Sequence, residues 1–118
     1  MSTVLIVDDD PEIREALTDA LEGRGYAVAV ASHGREALDL VRSPPAPCLI
    51  VLDLMMPNMD GYEFISEQKR DPKIADIPVV IITAGQHPKG TKVVEAVDVL
   101  HKPFARERLM KVVQEYCG

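Results

Sequence analysis

Several absences in the sequence narrow what the protein can be. No apolar run approaches the ~20 residues that cross a bilayer. The N-terminal segment MSTVLIVDDD lacks the basic start, long apolar stretch and cleavage site of a signal peptide. Basic residues are not in excess, since 13 Lys and Arg stand against 19 Asp and Glu and leave a net charge of −6. This acidity argues against direct binding to nucleic acid or to an anionic membrane surface. We therefore expect a cytoplasmic protein.

Cysteine is also scarce. Cys48 and Cys117 are the two cysteines, and neither has a CxxC partner or a suitably spaced histidine nearby. The histidines, His33, His87 and His101, lie on separate segments and are interpreted as solvated surface residues. A disulfide framework and a zinc site are therefore not expected, and reduced thiols are the default in the cytosol.

What is present is typical of one folded domain. The 118 residues are 47% apolar and 27% charged, unlike the composition of a disordered chain. A chain of this length buries roughly two-thirds of its unfolded surface, which is enough for a self-sufficient core. We predict a single domain over residues 1–118.

Strand-like and helix-like segments alternate along the chain. Three short runs, Val4–Val7, Leu49–Leu52 and Val79–Ile82, are apolar at every position. Because successive strand residues face opposite sides of a sheet, such runs belong to central strands that are covered by helices on both faces. Two segments that are less apolar, Tyr26–Ala31 and Val97–His101, are predicted to be edge strands.

The segments between the strands are predicted to be helices. The first begins behind an Asp10 cap with Pro11 at its first position, and it ends at Gly23 or Gly25. The others are expected at residues 35–42, about 61–69, about 91–97 and 105–116. The fourth is weakened by the glycines and proline of the preceding AGQHPKG stretch. The last presents one apolar stripe, formed by Leu109, Val112, Val113 and Tyr116.

This alternation predicts an α/β fold. Right-handed crossovers give a doubly wound, five-stranded parallel sheet between two layers of helices, which is a three-layer sandwich. With the weaker strands at the edges, the strand order is 2-1-3-4-5, the flavodoxin-like arrangement. Ligand sites in such sheets lie beyond the carboxyl ends of the strands, here around the switch point between strands 1 and 3.

Polar side chains follow four of the predicted strands. Strand 1 runs into Asp8, Asp9 and Asp10, strand 3 into Asp53, strand 4 ends at Thr83, and strand 5 runs into Lys102 and Pro103. Because the carboxyl ends of parallel strands meet at one edge of the sheet, we expect these groups to converge although they are distant in sequence.

The acidic residues of this set are predicted to have different roles. Asp10 is best explained as a helix cap. Asp8 and Asp9 repel each other unless a cation compensates them, and Mg²⁺ is the natural compensator, although solvation alone would also account for the pair. Asp53 follows four apolar residues, where a charge without a role is costly. A turn residue is the structural alternative for Asp53.

The other members also have structural alternatives. Thr83 alone fits an ordinary strand residue, and Lys102 alone fits a surface lysine. Beside several carboxylates, however, a lysine supplies a counter-charge and a ligand for phosphate oxygen. The Pro57–Gly61 turn is interpreted as structural, with Asp60 as the cap of the helix that follows.

These strand ends carry a resemblance to a known family, the receiver domain of two-component response regulators, and in particular its chemotaxis-regulator-like members. The resemblance extends from Val4 to about Tyr116. The motifs that carry it are VLIVDDD (Val4–Asp10), VLDLMMPNMDGYE (Val51–Glu63), VVIITA (Val79–Ala84) and HKPF (His101–Phe104).

The resemblance implies a phosphoacceptor and a metal cofactor. Asp53 would accept a phosphoryl group from a phosphohistidine on a sensor histidine kinase or phosphotransfer protein. Asp9, Asp53 and the backbone carbonyl of Met55 would bind Mg²⁺, and Asp8 would act through a bound water. The acyl phosphate would hydrolyse in time, so that the signal is self-limiting.

The resemblance also implies a switch around the acceptor. Lys102 would hold a phosphoryl oxygen, and the Thr83 hydroxyl would turn towards the phosphate. Pro103 resembles the family's proline that follows a cis peptide bond and aims the lysine. Ala84 and Gly85 belong to the implied switch, and Met55 and Gly85 would flank the path of the hydrolysing water.

Two features depart from the family pattern. Receivers usually carry an aromatic residue where this chain has Val99, and the stretch between Thr83 and Lys102 is a few residues shorter than usual. The leading hypothesis is a signalling module rather than a turnover enzyme, acting through a downstream protein, a fused output domain or a phosphorylation-dependent homodimer. The alternative is a non-phosphorylated receiver-fold interaction domain with a decayed switch. A phosphohydrolase is disfavoured because Glu12 stands where such enzymes place a hydroxyl.

Overall fold

A computed structural model describes residues 3–54, 61–83 and 96–118 of the protein. In these ranges the chain forms one sheet of five strands in the order β2-β1-β3-β4-β5. Every neighbouring pair of strands is parallel. The strands are β1 (Thr3–Val7), β2 (Ala27–Ala31), β3 (Leu49–Asp53), β4 (Val79–Thr83) and β5 (Asp98–His101). The predicted fold class and strand order are confirmed.

The described helices are α1 (Pro11–Glu22), α2 (Gly34–Val41), α3 (Gly61–Arg70) and α4 (Arg106–Cys117). Their bounds differ by a residue or so from the predicted ones, as helix ends commonly do. The helix expected at about 91–97 falls mostly outside the described residues, so α4 corresponds to the last predicted helix. In the described part of the chain, no helix has the length and apolar character needed to cross a membrane.

Two hydrophobic clusters cover the two faces of the sheet. In the first core cluster, Leu5, Val7, Ile50 and Leu52 pack with apolar residues of α2 and α3. In the second core cluster, Val4, Ile6, Leu49 and Val51 pack with apolar residues of α1 and α4. Alternate residues of β1 and β3 therefore belong to opposite clusters, which explains why both runs are apolar throughout. β2 and β5 are less buried, as predicted for edge strands.

Side-chain caps begin the first two helices. Asp10 caps α1, because its Oδ1 accepts a hydrogen bond of 2.9 Å from the Glu12 backbone N–H. His33 caps α2 through Nδ1, which accepts from the Glu36 backbone N–H at 3.3 Å. Glu36 in turn accepts from the Ser32 backbone N–H, so the arrangement resembles a capping box. His33 is thus a half-buried surface residue with a capping role that the sequence did not predict, whereas His101 is exposed. His87 lies outside the described residues.

The expectation of two reduced thiols is also wrong. Cys48 and Cys117 form a disulfide with Cα atoms 5.4 Å apart, across 69 residues of sequence. Sequence spacing carries no signal for this pair, because the fold itself brings the start of β3 beside the end of α4. Cys117 follows Val113 by four residues and so shares its buried side of the helix. Tyr116, which the apolar stripe placed in the core, is 40% exposed.

Candidate functional site: the carboxylate cluster

The site lies where the two central strands end. β1 and β3 are neighbours, with Val7 paired to Leu52. Asp8 directly follows β1, and Asp53 is the last residue of β3. Asp8, Asp9 and Asp53 present carboxylate oxygens that all lie within 4.8 Å of one another. We call these three residues the carboxylate cluster, and its existence confirms that acidic residues distant in sequence meet at the switch point.

Two of the three carboxylates in this cluster are buried, so their negative charge is costly unless positive charge compensates it. Asp8 is fully buried and Asp53 is 4% exposed, whereas Asp9 is exposed. The Lys102 Nζ lies 3.0 Å from Asp8 Oδ2 and 3.6 Å from Asp53 Oδ2, so one ammonium bridges two carboxylates. Buried charges are tolerated when they are paired, and one lysine offsets only part of three neighbouring carboxylates. The arrangement therefore favours a further cation.

The neighbouring strands hold Lys102 and Thr83 at the same edge. The Lys102 backbone N–H donates a hydrogen bond of 2.7 Å to the Thr83 carbonyl oxygen, and the Lys102–Pro103 peptide bond is cis. Thr83 is 1% exposed. It follows Ile82, which is paired with Asp53 across β3 and β4. The structure thus brings Thr83 and Lys102 to the end of the sheet where the carboxylate cluster lies.

The loop between β1 and α1 is fixed by hydrogen bonds at several points. Asp8 Oδ1 accepts from the Asp10 backbone N–H at 2.9 Å. The Asp8 backbone carbonyl accepts from Arg14 Nη1 at 2.7 Å. Arg14 therefore reaches back from α1 and holds the loop that carries two of the three carboxylates. The sequence analysis missed this residue, although a basic side chain near the start of an acidic helix runs against the helix dipole and is a signal in itself.

Gly61 packs against Leu54, the residue that follows Asp53. It begins α3, and its backbone N–H donates to the Leu54 carbonyl oxygen at 3.0 Å. A Cβ at this position would lie 2.8 Å from both Cα and Cδ2 of Leu54 and 3.1 Å from the Asp53 carbonyl oxygen. Only glycine allows so close an approach without displacing the backbone next to Asp53.

An open groove of about 580 Å³ runs between α1 and the start of α4. Its lining is mostly apolar and comprises Ile13, Ala16, Leu17, Pro103 and Phe104, together with Lys102 and Arg106. Lys102 lines the groove and also bridges Asp8 and Asp53, so the groove adjoins the site at this residue.

Some of the predicted site residues lie outside the described residues, and others lie on the strand or in the groove beside the carboxylate cluster. Met55, Ala84 and Gly85 lie outside the described residues, as do Pro57 and Asp60. Val99 is half-buried on β5 and packs against the first core cluster. Pro103 is exposed and lines the groove.

Fold and site together define a class. A doubly wound parallel sheet with carboxylates at the ends of β1 and β3 and a lysine after β5 places an acidic site that could hold a cation at its switch point. Residues 4–114 match the model of the response regulator receiver domain. The chain belongs to this family, whose members are signalling domains of two-component systems.

Individual relatives agree with this assignment. The response regulator MprA of Mycolicibacterium vanbaalenii is 40% identical over 111 residues, which cover 91% of this chain and 46% of the relative. The chain thus spans about half the length of that protein. Among solved structures, chemotaxis protein CheY4 of Vibrio cholerae has a TM-score of 0.86 at 34% identity, covering 98% of each chain.

A second solved structure bears on the cation. The response regulator TrrA of Thermotoga maritima, solved in complex with Mg²⁺ and BeF, has a TM-score of 0.85 at 30% identity. The similarity covers 98% of this chain and 99% of that chain.

Proposed function

We propose that this chain is a phosphoacceptor, which takes a phosphoryl group from a sensor histidine kinase or phosphotransfer protein onto Asp53. The observation that carries the proposal is the convergence of the carboxylate cluster with the Lys102 ammonium at one end of the sheet. Asp53 is a nearly buried carboxylate and is itself the last residue of a central strand, and a lysine capable of binding a phosphoryl oxygen lies beside it.

The transfer step follows from this placement. A carboxylate oxygen of Asp53 attacks the phosphorus of the donor phosphohistidine as the phosphorus–nitrogen bond breaks. The bonding electrons leave with the imidazole, which then takes a proton, and an aspartyl phosphate remains. Lys102, 3.6 Å from Asp53 before transfer, is the group that holds a phosphoryl oxygen. The Thr83 hydroxyl is proposed to bind another oxygen once the phosphate is in place.

The residues present fit Mg²⁺ as the cofactor. Every candidate side-chain ligand among the described residues is a carboxylate oxygen, which is the donor type that hard divalent ions prefer, and the three groups lie within 4.8 Å of one another. Asp9 and Asp53 would bind the ion directly and Asp8 through water, with Met55, outside the described residues, adding its carbonyl. When bound, Mg²⁺ offsets the negative charge of the phosphoryl oxygens, so that an anionic acceptor can approach an anionic donor.

The wider role follows from the same proposal. Residues 1–118 would act as one cytoplasmic receiver domain that changes its surface on phosphorylation and resets by hydrolysis of the acyl phosphate, without turnover of a separate substrate. The donor protein would approach along the groove that shares Lys102 with the site. The output would pass to a downstream protein, to a fused output domain or through a phosphorylation-dependent homodimer.

The test is phosphoryl uptake from a small acyl phosphate in the presence of Mg²⁺, followed by intact-protein mass spectrometry. The wild-type chain should gain one phosphoryl group, and Asp53→Asn should gain none because its amide is not a nucleophile. Asp19→Asn, which changes an exposed carboxylate on α1, is the matched control and should behave as wild type.

Two results would contradict the proposal. Uptake that persists in Asp53→Asn would place the acceptor elsewhere. Absence of uptake in the wild type, together with no Mg²⁺ binding in a calorimetric titration, would support the non-phosphorylated interaction domain. Val99 is the observation that favours this second candidate, because the aromatic residue usual in the family's switch is absent there.

A further inference from the structure

The disulfide joins two elements that are far apart in the sequence. Cys48 is the residue before β3, and Cys117 is the last residue of α4. Both are half-buried at the margin of the second core cluster. Asp53 lies at the opposite end of β3, so the length of the strand, about 15 Å, separates the bond from the carboxylate cluster.

The fold has a complete core without this bond. α4 is already docked by Leu109 and Val113, which are fully buried, and by Met110 and Val112, which are nearly so. Domains that depend on disulfides are usually those too small to form such a core. The bond therefore acts on the last turn of α4, where Gln114, Glu115 and Tyr116 are exposed and Cys117 is tied to the sheet.

Cys48 is fixed to the sheet, whereas Cys117 lies at the end of a helix. The Cys48 backbone N–H donates a hydrogen bond of 2.9 Å to the Thr3 carbonyl oxygen, which fixes this residue to the sheet. Its Sγ lies 3.3 Å from the same oxygen, so a thiol formed there by reduction has an acceptor in place. Cys117 lies on a terminal helical turn, where local opening requires little of the core to move. Breaking the bond is thus expected to release the helix end and to leave the sheet intact.

We propose that Cys48 and Cys117 form a reversible thiol–disulfide modification site that determines whether the last turn of α4 is anchored. In the cytoplasm, disulfides are usually transient and redox-sensing rather than permanent. This step rests on the cytoplasmic location proposed above. The modification is separate from the phosphoryl chemistry, because it acts at the other end of β3.

The chemistry balances with a small-molecule disulfide as the oxidant. One cysteine thiolate attacks a sulfur of that disulfide, which releases one small thiol and leaves a mixed disulfide on the protein. The second cysteine thiolate then displaces the other small thiol and closes the Cys48–Cys117 bond. Two protein thiols are oxidised, one small disulfide is reduced, and the two protons of the protein thiols end on the two small thiols that are released. Excess small thiol drives the reverse reaction.

The test equilibrates the full chain in buffers with different ratios of reduced to oxidised glutathione. Free thiols are then counted by alkylation and mass spectrometry, and amide hydrogen exchange is measured in both states. We expect two thiols to titrate together within the glutathione range. On reduction, exchange at residues 114–118 should become at least about tenfold faster, while β3 keeps its protection. The melting temperature should fall by on the order of 10 °C.

The Cys117→Ser variant distinguishes the effect of losing the disulfide from any other effect of the glutathione buffer. It should show the fast exchange of residues 114–118 in every buffer, with β3 unchanged. The proposal is overturned if both thiols stay alkylatable in oxidised glutathione, or if the bond resists reduced glutathione. Equal exchange of the last turn in the two states would also overturn it. No phosphodonor is used, so these failures are distinguishable from failure of the phosphoacceptor proposal.

Discussion

At the carboxyl end of β3, Asp53 lies beside the buried Asp8 and the exposed Asp9, with Lys102 as a neighbouring cation. At the amino end of the same strand, Cys48 is held by a covalent bond to α4. The nearby Arg42–Asp71 ion pair, with N and O 3.1 Å apart, has its side chains 41% and 23% exposed. One end therefore concentrates buried charge that the protein must compensate, whereas the other has a covalent bond and an ion pair of opposite charges that is partly exposed to solvent.

The difference shows where to look for chemistry. Buried like charges oppose folding unless a function or a bound cation retains them, so their presence at one end marks the site. The disulfide and the partly exposed ion pair at the other end leave no buried charge without compensation, so neither marks a cation or phosphoryl site. Matched substitutions near the two ends of β3 should therefore have unequal effects on stability and on Mg²⁺ binding.

The largest effect is expected from removing the bridging ammonium. Lys102→Met leaves the fully buried Asp8 without its 3.0 Å partner and should lower the free energy of unfolding by about 3–5 kcal/mol in the absence of Mg²⁺. Urea unfolding at neutral pH measures this loss. Arg42→Met breaks the exposed pair at the other end and should cost no more than about 1 kcal/mol. Equal losses would remove the proposed contrast.

A smaller effect is expected from adding a side chain at Gly61, which packs closely against Leu54 beside Asp53. Gly61→Ala forces a Cβ to within 2.8 Å of Leu54 and should destabilise the protein by about 2 kcal/mol through overpacking. Gly23→Ala at the end of α1 is the matched control, since Gly23 has a helical φ of −62°. Its stability should stay within about 1 kcal/mol of wild type. An unchanged melting curve for Gly61→Ala would show that α3 does not pack so tightly on the end of β3.

The fold and the positions of the acidic residues could be predicted because they depend on local patterns. Runs such as Val4–Val7 are apolar at every position, which requires burial on both faces, and parallel strands deliver Asp8 and Asp53 to one edge. The Asp10 cap and Pro11 as the first residue of α1 also follow from local geometry.

The remaining features depend on contacts that no local pattern contains. The close approach of Gly61 to Leu54 and the hydrogen bond from Arg14 to the Asp8 carbonyl arise only once helices are docked on the sheet. The Cys48–Cys117 bond joins residues that the topology, not their spacing, brings together.

Arg14 allows a test of how the carboxylate cluster is held. Arg14→Gln removes the 2.7 Å hydrogen bond to the Asp8 carbonyl and should weaken Mg²⁺ binding about tenfold, as the loss of residues that orient metal ligands commonly does. Isothermal titration calorimetry measures the affinity. Arg42→Gln removes a guanidinium at the opposite end and should leave the affinity unchanged. If both variants bind as wild type, Arg14 does not position the loop.

The smallest effect concerns how Asp71, near the amino end of β3, makes the stability of the protein depend on pH. The pKa of Asp71 is lowered, chiefly by the hydrogen bond from the Lys73 backbone N–H at 3.0 Å and further by the Arg42 side chain at 3.1 Å. Because the folded pKa lies below the unfolded one, the stabilisation is present above about pH 4 and is lost as pH falls through the folded pKa. The stability difference between wild type and Asp71→Asn should therefore shrink below about pH 4. An Asp71 pKa at or above its ordinary value in an NMR titration would contradict this.

The most direct test of the central claim is to map the phosphoryl group. The chain is treated with a small acyl phosphate as phosphodonor, with and without Mg²⁺. The aspartyl phosphate formed on the protein is then trapped by reduction with borohydride, and the modified peptide is sequenced by mass spectrometry. We predict modification at Asp53 that requires Mg²⁺. Modification at another residue, or labelling of Asp53 that is unaffected by a chelator, would contradict the claim that the carboxylate cluster is a Mg²⁺-dependent phosphoacceptor site.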